Sequence, residues 1–463
     1  MLRKYPIRAA LALALAFGLA GHSHAADFEI TDELIQTLGK EQLARVGKHL
    51  KRPTEGKVRF RLVDVDTLQK TLEVELKVQF LAQLGDEDAA LSGAKTYSTM
   101  MAPSLLGKYA YEEGEIMICA ENFRTLARTL AVPNLNSEEV LKAILIHECV
   151  HAVTNEIYRW SEVLNKIEKR EMVMAYSAVI EGHSQYVTRA LCEGTETEEA
   201  FDLYTSCVGR LDPNIPEGFA VLARVMASET VAGYIEGEKF VSAILLEGGE
   251  PALRKAYEHP PRDLDEIVRP EWYLDPSKRK KLEHDLDAAM DEFSSDYESE
   301  EWIVTRLAMT KPQIRAALTL LDPKEVDRVV GAIQHNRAAA VTDSATGQDK
   351  MIIAVVYEFA SVEDALYYLA MAERLGKIKD EKLKTGPVRI TASSSEEVRA
   401  ETWQGLYQKK EITVALTKVP VSVLFAVNGR IVVELAYSNV GDIEKKTLEA
   451  MATRLIAKAK QKL

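Results

Sequence analysis

The stretch AILIHECVHAVTNE, residues 143–156, places His147, Glu148 and His151 in a run that otherwise reads as the buried stripe of a helix. Two histidines four apart project from one helix face about one turn from each other, close enough to share one metal ion. Glu148 sits one step round, where it reaches a water on that ion without being a ligand. The alternative, two histidines hydrogen-bonded in a core, buries a carboxylate beside Ile144, Leu145 and Ile146 at a cost of about 3 to 5 kcal/mol. Upstream, Asn136 followed by Glu139 has the form of a capping box, so a helix is expected from Ser137 to about Tyr158.

A catalytic zinc takes three protein ligands and keeps a fourth position for water. Where a third-histidine motif would continue, the chain has Thr154 and Ile157, which excludes that class. A glutamate from a following helix is the other solution. In AYSAVIEGHSQYV, Glu181 directly follows Ala178, Val179 and Ile180, and Gly182 beside it permits another helix or the ion to come close. A structural ion pair of Glu181 with Arg170 or Arg189 is the competing reading, and Glu171 and Glu193, at helix ends, are weaker ligand candidates.

At 463 residues, 47% hydrophobic and 28% charged, the chain is long enough for two or three domains and has an ordinary globular composition. Its first residues join Arg3, Lys4 and Arg8 to an apolar run from Ala9 to about Ala20 and then Ser23-His24-Ala25, the form of a cleaved secretory leader. We therefore expect a signal peptide at 1–25, a secreted or periplasmic product, and no stable membrane insertion, because no later segment approaches 18 uninterrupted apolar residues. Loss of the leader takes the formal net charge from −13 to −16. That balance argues against nucleic-acid and anionic-membrane partners, which need clustered Lys and Arg. In an oxidising compartment Cys192 and Cys207, bracketing an acidic loop, are the favoured disulfide, leaving Cys119 and Cys149 as a second pair or as free buried thiols.

Periodicity indicates an α+β protein. Helical spacing runs from Asp27 to about Leu50, through DTLQKTLEVELKVQFLAQLG, and again from about Arg170 to Leu191, while KVRFRLVDV alternates as a strand. GKYAYEEGEIMICA reads as a hairpin, and its strand around Glu115 to Cys119 is a candidate edge for pairing an extended substrate. The charged stretch 278–301 marks the expected boundary between a mostly helical domain with a small sheet, 26–295, and a smaller α+β domain, 296–463. The latter shows a strand at MIIAVVYEF, a helix at SVEDALYYLAMAERLG, a hairpin turning at Asn428-Gly429 and a closing helix from about Asp442, with helices expected on one sheet face. His49, His259, His284 and His335 are isolated and expected to face solvent.

HECVHA followed by AVIEGHSQYV resembles the bacterial zinc metallopeptidases of the glutamate-zincin type, in a largely uncharacterised secreted branch. GKYAYEEGEIMIC is similar to that family's hairpin before the active-site helix, and Gly233 to Leu274 is similar to its downstream block, so the resemblance spans roughly 55–275. It implies a zincin-like domain in 26–295, one Zn2+ per chain on His147, His151 and Glu181, Glu148 as catalytic base and a peptide or protein substrate. His183 and Ser184 depart from the family's pattern, placing a bulkier titratable group near the metal. For the oxyanion donor the candidates are Tyr234 and His183. A catalytically inactive metallopeptidase-like envelope scaffold is the reading from another class, and zinc-dependent hydrolysis of a non-peptide amide uses the same metal chemistry.

Overall fold

The structure, a computed structural model, describes residues 28–461 apart from 53–57, 211–230, 280–283, 298, 300–301, 308, 310, 319, 344–350, 385–387, 415–416 and 439–444. The expected leader at 1–25 lies outside the described residues. The protein is α+β.

Described residues 28–279 form one compact unit. It opens with α1 (Asp32–His49), β1 (Arg59–Leu62), α2 (Val65–Leu84) and α3 (Glu87–Met101). The hairpin follows as β2 (Gly107–Ala110) and β3 (Glu115–Ile118), turning at Gly114 with φ 65°. Next come α4 (Ala120–Thr129), α5 (Glu138–Tyr158), α6 (Trp160–Leu164), α7 (Arg170–Cys192) and α8 (Glu198–Cys207). A π-helical turn over Ala232–Glu236 runs into α9 (Gly237–Glu258), and α10 (Leu264–Val268) and α11 (Pro270–Leu274) end the unit.

The small sheet has strand order β1-β3-β2, with β3 parallel to β1 and antiparallel to β2. The expectation that Glu115–Cys119 offers an edge is therefore corrected: β3 is central, both its edges are taken, and β1 and β2 are the edge strands. The helix α5 begins one residue from the expected cap, since Ser137 Oγ accepts from Val140 N at 3.3 Å while the Asn136 side chain donates to Phe28 O. From Val140 to Thr154 all but one residue of α5 is buried, so α5 is wrapped on every side. One side of it faces a cluster of Ile35, Leu38, Val46, Phe60, Ile116 and Phe123.

The helices α7 and α9 cross at glycines. A Cβ on Gly182 would stand 2.1 Å from Gly237 C, and one on Gly237 would stand 2.2 Å from Ala178 O. Gly182 thus lets the backbones touch, as its place beside Glu181 suggested.

The four cysteines are free buried thiols, which corrects the favoured Cys192–Cys207 disulfide and decides Cys119 and Cys149 for the free-thiol alternative. Cys192 packs in the cluster around α5, Cys207 lies with Ala127 and Leu135, and Cys119 lies with Leu68 and Leu72. Each thiol packs as a small apolar group.

Described residues 284–461 form the second unit, so the division falls between 279 and 284, ahead of the expected 295/296. The reason is α12 (Leu286–Ser295), whose Leu286, Ala289, Met290 and Phe293 are core residues of this unit. Then follow β4 (Trp302–Leu307), α13 (Lys311–Ala317), α14 (Pro323–Ala332), β5 (Ile333–Asp343), β6 (Met351–Phe359) and α15 (Val362–Lys382). After them come β7 (Val388–Arg399), β8 (Gln404–Val414), β9 (Thr417–Asn428), β10 (Ile431–Ser438) and α16 (Lys445–Ala459).

Its seven strands are ordered β4-β5-β6-β10-β9-β8-β7 and pair antiparallel throughout. Helices cover both faces, correcting the one-sided layer: Ala354 and Val356 face α12 and α16, whereas Val355 and Tyr357 face α13, α14 and α15. The apolar run of β6 from Met351 to Tyr357 is what two covered faces require. His49 and His259 are exposed, but His335 is buried and His284 Nδ1 lies 2.8 Å from the buried Glu358 carboxylate.

Because a Cβ at Gly182 would enter the Gly237 backbone, Gly182→Ala is expected to destabilise the first unit by about 1–3 kcal/mol. A lowered urea midpoint for that unit's transition checks this; an unmoved midpoint would show that the helices do not meet there.

Candidate metal centre

Inside α5 the 3.6-residue period stacks His147 and His151, whose ring centroids lie 4.7 Å apart at 82°. The crossing of α7 beside them at Gly182 brings in Glu181. Its Oε2 lies 3.2 Å from His147 Nε2 and 3.3 Å from His151 Nε2, and the two Nε2 atoms are 3.0 Å apart. Both imidazoles are buried, and the Glu181 side chain is 27% exposed. These three residues form a group that can hold a metal ion, their ligand atoms all within 4.8 Å of one another. The competing cations are engaged elsewhere: Arg189 with Glu238 and Asp202, and Arg170 with the Tyr97 hydroxyl.

The donor set fits a cation. Three ligand atoms converge within hydrogen-bond distance, and among the described residues the buried His147 Nδ1 has no hydrogen-bond partner. His151 is oriented from behind by Ser184 Oγ at 3.1 Å from its Nδ1, which leaves Nε2 facing the other ligands. Ser184, which the sequence marked only as a departure, is the residue on α7 that holds His151. The backbone carbonyl of His151 accepts from Thr154 Oγ1 and Trp160 Nε1. Burial alone would raise the Glu181 carboxyl, but the adjoining His151 and His147 outweigh it and hold it well below the usual carboxylate range.

Glu148 is buried beside this group, and its Oε2 accepts from Tyr109 N on β2 at 2.6 Å. Gly107 makes the approach of β2 to α5 possible, since a Cβ there would stand 2.8 Å from Ile144 Cγ2 and 3.2 Å from Glu148 Cγ. Burial pushes the Glu148 carboxyl up to about 7; Glu181 adds to the rise, while His147 and Lys108 oppose it.

The two oxyanion candidates part company. Tyr234, in the π-helical turn, stacks on His147 with centroids 5.4 Å apart and planes at 9°, and its hydroxyl interacts with Glu181. His183 does not face the ligands. Two residues on from Glu181 it points about 200° round the helix, and its Nδ1 lies 3.0 Å from the Tyr257 hydroxyl, among the rings of Tyr158 and Tyr257. Burial lowers the His183 imidazole to about 3. It is a core residue, and as an oxyanion donor it is withdrawn.

Sequence reasoning missed Tyr204 on α8, whose hydroxyl interacts with that of Tyr234, and Lys108 on β2, which forms an ion pair with Glu75 of α2 at 2.6 Å. No family model and no curated protein matches the chain. Among solved structures, an uncharacterized protein from Mycobacterium smegmatis aligns at 10% identity and a TM-score of 0.21, covering 38% of this chain and 98% of that one.

Removing a hydrogen bond behind a metal-binding histidine costs about 10- to 100-fold in metal affinity. Ser184→Ala is expected to show that loss and Glu181→Ala a larger one, both read by competition with a chromogenic chelator. A second test uses pH. In the metal-free protein Glu148 binds its proton more tightly folded than unfolded, so its contribution to stability is whole below about pH 4.5 and is lost as pH rises to about 7. Over that window Glu148→Gln should escape a loss of about 3 kcal/mol that the wild type suffers, measured as the difference between their urea unfolding profiles.

Proposed function

We propose that the protein is a zinc-dependent metallopeptidase, exported to the periplasm or beyond, that hydrolyses peptide bonds with Glu148 as general base. The observation that carries this reading is the placement of a tethered, proton-binding carboxylate against a buried His147–His151–Glu181 ligand set. Two imidazoles and one carboxylate suit zinc and leave a position for water. When bound, zinc supplies Lewis acidity, lowering the pKa of a water to ~7 and polarising a carbonyl oxygen.

The residues supply the rest. His147, His151 and Glu181 hold the ion, and Ser184 sets the His151 ring. Glu148 takes a proton from the attacking water and passes it to the leaving amine, a task suited to a carboxyl poised near neutrality. The hydrogen bond from Tyr109 N holds one of its oxygens, leaving the other for the proton. Tyr234 brings a hydroxyl to the same rim, and burial raises its pKa well above the ordinary phenol value. It therefore stays protonated and donates to the oxyanion.

An inactive scaffold would have no use for a buried carboxylate beside its ligands, a placement that costs stability. Export rests on the leader-like residues 1–25. Among the described residues no helix is long and apolar enough to cross a membrane.

The test compares wild type with Glu148→Gln, both loaded with zinc, on a peptide library. The variant should keep its zinc and lose cleavage by about 10²- to 10⁴-fold, and chelation should silence the wild type. Equal cleavage by both, or a wild type that does not bind zinc, would sink the peptidase reading.

A further inference from the structure

We infer that β2, the strand edge beside the metal centre, is closed on one side by the Glu75–Lys108 ion pair, so that the cleft admits peptides with only about two residues N-terminal to the bond that is cut. The inference rests on the peptidase reading and adds to it the class of substrate: peptides trimmed near their N-termini.

A strand that joins a sheet edge uses the outward N–H and C=O groups of alternate residues. On β2 the antiparallel register sets Lys108 opposite Met117 and Ala110 opposite Glu115, and just before the strand Cys119 N donates to Leu106 O, so these alternate residues turn their groups to β3. The outward residues are Gly107, Tyr109 and, just past the strand, Tyr111. At Tyr109 both groups are used: the N–H donates to Glu148 Oε2 at 2.6 Å, and the carbonyl accepts from Lys108 Nζ at 3.3 Å. At Tyr111 the N–H donates to Glu75 Oε1 at 3.1 Å.

Glu75 does two things at once. One oxygen takes the Tyr111 N–H and the other takes Lys108 Nζ at 2.6 Å, and Glu75 itself is only 3% exposed. Farther along α2, Gln79 Nε2 reaches the Tyr111 hydroxyl at 3.5 Å, and that hydroxyl donates to Asn165. The helix therefore stands where an added strand would continue.

Direction follows from strand pairing. A peptide lying antiparallel to β2 has its N-terminal residues toward Tyr111 and its C-terminal residues toward Gly107. The carbonyl under attack must sit by Glu148, hence by Tyr109. Residues on the N-terminal side then run into Glu75 and α2 after about two positions at 3.3 Å each.

The experiment uses the zinc-loaded full chain and quenched fluorescent peptides of one sequence, lengthened one residue at a time on either side of the cut bond, with products mapped by mass spectrometry. Lengthening the N-terminal side past about two residues should lower kcat/KM by about tenfold or more, while lengthening the C-terminal side should not. Glu75→Ala/Lys108→Ala should remove the limit, raising the long-to-short ratio by about tenfold. Glu75→Gln/Lys108→Met, which keeps the bulk, should retain it. Undiminished cleavage with four or more residues N-terminal to the cut would overturn the inference and leave the peptidase reading standing. If no peptide is cut, the peptidase reading falls, and amide hydrogen exchange decides the closure by itself. The Tyr111 amide should be protected in the wild type and released in the double alanine variant, whereas the Tyr109 amide, held by Glu148, should stay protected in both. Rapid wild-type exchange at Tyr111 overturns the closed edge, whether or not that variant folds.

Discussion

Two imidazole nitrogens and a carboxylate oxygen stand about 3 Å from one another in the interior of the first unit, and the architecture around them serves to hold them there. Side chains that all present lone pairs do not gather without a cation or shared protons to reconcile them. Their convergence needs one helix buried on every side, a second crossing it at glycine-to-glycine contact, and a hydroxyl behind one ring. The structure supplies these in α5, in the Gly182–Gly237 crossing and in Ser184.

The same burial shapes the chemistry. Glu148 is removed from water yet tethered by a backbone N–H, so its proton affinity falls in the range useful for taking and returning a proton. Glu181 is pulled the opposite way by the two histidines it touches. Two carboxylates in one pocket thereby acquire different roles from environment alone, one suited to ligation and the other to proton transfer. Tyr234 joins them because a π-helical turn carries its ring onto His147.

The second unit is built on another plan, a seven-stranded antiparallel sheet covered on both faces. Its β6, α15, the β9–β10 hairpin with the Asn428-Gly429 turn, where Gly429 adopts φ 60°, and the closing α16 were legible from periodicity, whereas β4, β5, β7 and β8 were not read. That both faces are covered was not, because buried runs such as MIIAVVYEF show that a strand is enclosed without naming what encloses it. The placement of α12 in this core was hidden for a related reason: its charged surroundings read equally as linker and as solvated helix.

Local physics, readable along the chain, determined the helix of residues 138–158, the one-turn spacing of His147 and His151, the hairpin ahead of them, and the choice of Glu181, the glutamate that follows an apolar run and precedes a glycine. Periods, caps and the penalty for burying charge depend on near neighbours in sequence, so those residues suffice. Tertiary structure alone decided that His183 turns into the core toward Tyr257 while Ser184 supports His151, that β2 and not β3 is an edge strand, and that the four thiols stay apart. It also decided that Glu75, distant from Lys108 in sequence, pairs with it beside the candidate metal centre. Each of these depends on which elements come to lie side by side, and that is set by the packing of whole faces, a sum over the chain that no single stretch contains.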